Sequence, residues 1–282
     1  MPNFIPYLLL VLISLTILVS IVIRERQFSW LVLFFAFSGM VYVVEFFIMV
    51  IGDSYEYFPE VLTIRYYDNV AGAIVSNLLI VPALGTAVAV YNLRQRWIVL
   101  FATFLVAVEW LFTDLRIYEP HWWRMAYTWF ALLFYFHLTR FWLAQLRKGL
   151  GVFRFLSLWM QAWSMIGTVM YLMGVIGIRY YQFGAFADMY HDDVFSGSIM
   201  GVMKAGIFAA LLAAFPHSPW RWLAPVLVYA ADVPLYYVGW LDIRLQFWQY
   251  MAIYLALASL LLLWNSYAHR VLWRLPSNMR LP

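Results

Sequence analysis

Cysteine is absent from all 282 residues. That excludes disulfides, thiolate metal sites, cysteine nucleophiles and iron–sulfur ligation. Charge is scarce too: 18 basic and 14 acidic side chains make up 11% of the chain. A soluble domain carries about 25% charged residues. So few charges cannot cover a water-facing surface of this size, which excludes a soluble enzyme, a nucleic-acid binder and a disordered chain. No basic segment precedes the first apolar stretch at Phe4, and no A-x-A-like site follows it. That stretch is expected to be a retained helix rather than a signal peptide. G-x-S-x-G, P-loop, Rossmann and H-E-x-x-H motifs are missing as well, so no cofactor is expected.

What the chain has is apolar: 66% hydrophobic and 21% aromatic residues, with a mean hydropathy of +0.80. A membrane-spanning helix needs about 20 apolar residues. Nine such stretches lie near 4–23, 29–51, 70–91, 97–113, 121–142, 152–177, 194–215, 222–240 and 247–269. The expected fold is all-α, a polytopic transmembrane bundle of about nine helices with the lipid bilayer as its main partner. Many of the 15 Trp fall at stretch ends, where aromatic belts account for them without a pigment.

The connections between stretches differ in charge. One alternating set holds Arg24, Arg26, Arg94, Arg96, Arg140, Arg147, Lys148, Arg154, Arg221, Arg270, Arg274 and Arg280. The other holds Arg65, Arg116, Arg124, Arg179 and Arg244. The basic set is expected to face the cytoplasm, with the N-terminus outside the cell membrane and the C-terminus inside. Acids crowd the opposite side, from Asp53 to Asp242, and Glu25 alone falls in a basic connection.

Two parts of the chain read alike. Tyr55-Glu-Tyr-Phe-Pro and Tyr66-Tyr67-Asp68-Asn69 precede a small-residue helix. After an offset of 124, Tyr180-Tyr181-Gln-Phe-Gly and Tyr190-His191-Asp192-Asp193 precede another. Glu109 then aligns with Asp232 after one gap. The expected organisation is an N-terminal helix (1–28), a first four-helix repeat (29–146) and a second repeat with a cytoplasmic tail (147–282). Both copies start and end on the same side, as parallel repeats do. The small residues Gly197 and Gly201 suit close helix contact, which is expected between the central helices of the two copies.

The second copy carries an acid followed by Tyr237-Val238-Gly239-Trp240 and an apolar helix ending in His269, after a loop rich in Tyr and Asp. In these features it resembles the small four- or five-helix uncharacterised membrane proteins of spore-forming Gram-positive bacteria. The resemblance implies the architecture and no reaction. The first copy departs from it, with Thr113-Asp114-Leu115-Arg116 where Gly-Trp would stand.

Four ionisable side chains fall within apolar stretches: Glu45, Glu109, Lys204 and Asp232. At about 1.5 Å per residue, Lys204 and Asp232 share a depth near the bilayer centre, and an ion pair is expected between them. Three acids against one lysine call for protonation, water or a bound cation. Pro234 and Pro82, the latter near Asn77, free the backbone carbonyls of Ala230 and Leu78. These are either packing kinks or cation sites. Asp68, Asn69, His191, Asp192 and Asp193 form a candidate outer vestibule, with helix capping as their simpler role. With Asp188 these acids offer ligand types for a divalent cation, although no metal motif is present.

Three functions fit. The first is a permease-like transporter of a cation or small molecule, with an acidic outer mouth and Glu109, Asp232 and Lys204 as its central site. The second is a non-catalytic component that assembles with a membrane partner or a second copy. The third is an intramembrane lipid- or isoprenoid-modifying enzyme, which would need a cavity open to lipid.

Overall fold

A computed structural model describes residues 2–278. Arg280 of the basic set lies outside the described residues. The element order is α1 (Phe4–Glu25), α2 (Trp30–Ile51), β1 (Tyr55–Tyr57), α3 (Arg65–Val90), α4 (Gln95–Asp114), β2 (Tyr118–Pro120) and α5 (Met125–Arg147). It continues with α6 (Gly151–Val175), β3 (Arg179–Tyr181), α7 (Met189–Ala214), α8 (Leu223–Ala230), α9 (Asp232–Val238), β4 (Leu241–Ile243) and α10 (Phe247–Asn278).

The chain is all-α apart from two short ribbons. By length and composition α1, α2, α3, α4, α7 and the Phe247–Leu275 part of α10 can cross a membrane. Helices α5 and α6 are as long, with 23 and 25 residues, but Trp, Tyr, Gln and Arg dilute their apolar content. The expected helix at 222–240 is instead two short helices meeting at Ala231. Pro234 is the third residue of α9, where its missing N–H costs nothing.

Contacts divide the chain after Lys148 into two units. In the first, α3 lies at the centre and packs on α1, α2 and α5. Gly85 gives the Tyr135 ring of α5 room against α3, and Tyr135 then donates to the Phe37 carbonyl of α2 at 3.2 Å. Helix α3 contains a widened, π-helical turn at Val75–Ile80, just before Pro82. Pro82 cannot donate to the Leu78 carbonyl. The buried Ser38 hydroxyl of α2 supplies that bond at 3.1 Å, sharing its hydrogen with the Phe34 carbonyl at 2.9 Å. The freed carbonyl is thus held by a neighbouring helix.

In the second unit α7 runs along α6, and α10 packs on α6, α7 and α8. The small residues of α7 seat large side chains of its own unit. Gly201 faces Trp163, and Gly206 faces Trp159. An indole fits there because no Cβ intrudes. A buried polar bridge ties α6 to α10: Gln161 donates to Asn265, and Trp264 Nε1 donates back to Gln161 at 2.9 Å.

The ribbons were not expected from the sequence. β1 pairs antiparallel with β2 in the first unit, and β3 with β4 in the second. Three-residue strands are too short to show an alternation that stands out from aromatic-rich surroundings.

Candidate functional site

The loops before α3 and α7 are built on the same bonds. Asp68 accepts the amides of Glu60, Val61 and Leu62 at 2.8–2.9 Å. Asp192 accepts those of Gly184, Ala185 and Phe186 at 2.8–3.3 Å. Asn69 accepts the Tyr57 amide at 2.9 Å, and Asp193 accepts the Tyr181 amide at 2.6 Å. Every partner in the second unit stands 124 positions after its counterpart. The backbone follows suit: Asp53 and Glu60 are left-handed at φ 44° and 55°, and Gly177 and Gly184 at φ 72° and 76°. Arg116 (φ 57°) matches Gly239 (φ 84°) after the single gap. Where the second unit has Gly239, the first has an arginine in a conformation that favours glycine.

These bonds change the part expected of the outer residues. Asp68, Asn69, Asp192 and Asp193 are buried and spent on loop amides, so they do not line an open mouth. The N-cap of α7 is Asp188, which accepts from Tyr190 N and His191 N. His191 stacks on Phe186 with centroids 3.7 Å apart. Among the described residues no group of three or more His, Asp or Glu side chains is placed to hold a metal ion.

The second unit centres on Lys204 and Asp232, both buried. Lys204 Nζ lies 2.7 Å and 2.8 Å from the carboxylate oxygens and 2.6 Å from the Tyr181 hydroxyl. Tyr181 and Tyr250 donate to Asp232 at 2.7 Å and 2.9 Å. Burial and the neighbouring carboxylate push the Tyr181 phenol well above its usual range, so it remains a donor. The ammonium also stands 4.8 Å from the centroid of the Tyr254 ring and 5.3 Å from that of Tyr181. Beside it, Arg179 pairs with Asp193 at 2.5 Å and donates to the Met170 carbonyl. Arg179 was counted among loop cations. The structure buries it, because Asp193 and a backbone carbonyl neutralise and satisfy it.

The first unit holds the other two acids around a cavity of about 260 Å³. Glu45 ends the regular part of α2, where a second π-helical turn begins at Phe46–Ile51. Asn77 lies in the π-helical turn of α3 and lines the same cavity as Glu45. The Tyr55 hydroxyl lies 2.7 Å from both Glu45 oxygens. Burial, reinforced by Glu45, pushes the Tyr55 phenol well above its usual range and keeps its proton on. Glu109 of α4 receives Tyr118 at 3.3 Å on one oxygen. Its other oxygen is buried without a hydrogen-bond partner among the described residues. None of the described lining residues is Lys, Arg or His. Tyr55, Tyr57, Tyr118 and Trp123 cluster at the polar end, with ring centroids 5.0–6.0 Å apart for the close pairs.

Glu109 joins Glu45 and Asn77 at the first unit's cavity, while Lys204 and Asp232 close on each other in the second unit. Sequence reasoning missed Tyr118, Trp123, Tyr250 and Tyr254. Their signal was position: Tyr118 follows Glu109 across a turn, and Tyr250 and Tyr254 are one turn apart on α10. No family model, curated protein or solved structure matches the chain.

Proposed function

We propose that the chain is a multi-pass cell-membrane protein of permease type, which takes a small cationic solute at the cavity of its first unit. One observation carries this reading: Glu45 and Glu109 line one cavity, and none of its described lining residues is Lys, Arg or His. Two carboxylates in apolar surroundings need a proton, water or a cation, and their exchange is the chemistry of coupled transport. The π-helical turns at Glu45 and Asn77 support it, since such turns recur at functional sites.

The two units are read as tandem copies, on the strength of the loop bonds and left-handed residues repeated at a fixed offset. In this reading the second copy is a charge-locked support, and its Lys204–Asp232 pair anchors helices rather than moving solute. The distribution of Arg and Lys supports an outer N-terminus and a cytoplasmic C-terminus.

The test is uptake of labelled sodium, rubidium and methylammonium by proteoliposomes. At least one enters faster than into protein-free vesicles, and the Glu45→Gln/Glu109→Gln protein loses that uptake. Entry of none, or full uptake by the double variant, overturns the reading.

A further inference from the structure

We propose that the first unit's cavity binds an organic primary ammonium with a short apolar tail, and that Lys204 is the tethered counterpart of that ligand in the second unit. The inference rests on the reading above that this cavity is where solute is taken.

The register between the units carries it. Lys204 stands 124 positions after Ile80, or 123 after Val81 where the gap falls at the π-helical turn of Val75–Ile80, and both of these residues line the cavity; Tyr181 stands 124 after Tyr57. Asp232 matches Glu109 after the gap. In the second unit the lysine ammonium meets the acid, a tyrosine hydroxyl and two tyrosine faces. In the first unit the acid and the tyrosine are retained, but neither Ile80 nor Val81 carries an ammonium. Ile80, Tyr57 and Glu109 all line open space there. The second unit fills its position with its own butylammonium side chain, and the first leaves it to a ligand.

The cavity's chemistry agrees. Glu109 and Glu45 both place carboxyl groups at its wall, and Thr128 lines it as well. A cation attracted to aromatic faces within about 6 Å finds Tyr55, Tyr57, Tyr118 and Trp123. A hard metal ion fits poorly: calcium takes 6–8 oxygen ligands, and most of this wall is aliphatic or aromatic. The apolar part suits a tail. Leu105, Leu132, Val44 and Phe134 line it, the last two 49% and 70% exposed. A volume of about 260 Å³ suits a short tail.

The test is calorimetric titration of the full chain in lipid nanodiscs, with empty nanodiscs as the blank. The probes are n-hexylammonium and its uncharged analogue 1-hexanol. Hexylammonium is expected to bind one per chain, at least tenfold more tightly than hexanol. Glu109→Gln weakens it at least tenfold. Ile80→Lys plants the tethered ammonium in the first unit and abolishes binding, while Ile80→Met, unbranched and uncharged but one atom shorter than lysine, retains preference for the ammonium. Equal binding of hexanol and hexylammonium by the unaltered protein overturns the proposal without recourse to any variant. So does binding unchanged in both Glu109→Gln and Ile80→Lys. Ammonium binding without uptake of any cation overturns the permease reading and leaves the site. Uptake of an inorganic cation without ammonium binding does the reverse.

Discussion

Lys204 and Asp232 form a closed pair, with Nζ 2.7 Å from one carboxylate oxygen and neither side chain reaching the surface. Tyr181 and Tyr250 take up the remaining acceptor capacity of the carboxylate. A buried pair so satisfied is costly to break and cheap to replace. Lys204→Met and Asp232→Leu should each destabilise the protein, by about 3–5 kcal/mol. The double variant should recover most of that loss, since no charge is left alone. Thermal unfolding in detergent micelles, followed by tryptophan fluorescence, reads the three midpoints. A double variant as unstable as the two single losses added together would show the residues to be uncoupled.

The two acid-stapled loops provide a second check. Asp68 holds three amides of the loop before α3, and Asp192 three of the loop before α7. Hydrogen bonds to a charged group are worth about 1.5–3 kcal/mol each. Asp68→Ala should speed amide exchange at residues 60–62 and leave 184–186 protected. Asp192→Ala should give the opposite pattern. Exchange measured by mass spectrometry shows whether each staple acts only on its own loop, as locally opening segments do.

Part of this arrangement was legible in the sequence and part was not. The Lys204–Asp232 pair followed from two opposite charges stranded in apolar helices on consecutive stretches, where each has few alternatives. The 124-residue offset was visible in the Tyr and Asp clusters, but the jobs of those acids were not. Capping a helix and holding the preceding loop use the same residue type a few positions apart. Asn77 joins Glu45 at the cavity wall from within a π-helical turn, which leaves no mark in composition. The cage of Tyr55, Tyr57, Tyr118 and Trp123 was hidden among 20 Tyr and 15 Trp, and only the pairing of β1 with β2 gathers it. Arg179 looked like a loop cation because a buried ion pair fourteen positions long, Arg179 to Asp193, crosses a loop of irregular path.

The Ser38 bond to the Leu78 carbonyl predicts a coupling between two substitutions that do not alter charge. Ser38→Ala should cost about 1–2 kcal/mol, because the carbonyl opposite Pro82 loses its donor. In a Pro82→Ala background the restored amide can serve the same carbonyl, and Ser38→Ala should cost clearly less. Unfolding midpoints of the four proteins form the cycle. Equal cost in both backgrounds would mean that Ser38 acts only through its bond to Phe34.

The orientation assigned from the Arg and Lys distribution can be tested with an advantage specific to this chain. With no native cysteine, a single introduced thiol is unique. Val61 is exposed in the loop before α3, and Lys148 is exposed at the end of α5. These positions fall on opposite sides if the basic connections face the cytoplasm. Val61→Cys should react with a membrane-impermeant maleimide on intact cells. Lys148→Cys should react only after permeabilisation. The reverse pattern would place the basic connections outside, and labelling of both on intact cells would put an odd number of crossings between the two positions out of reach.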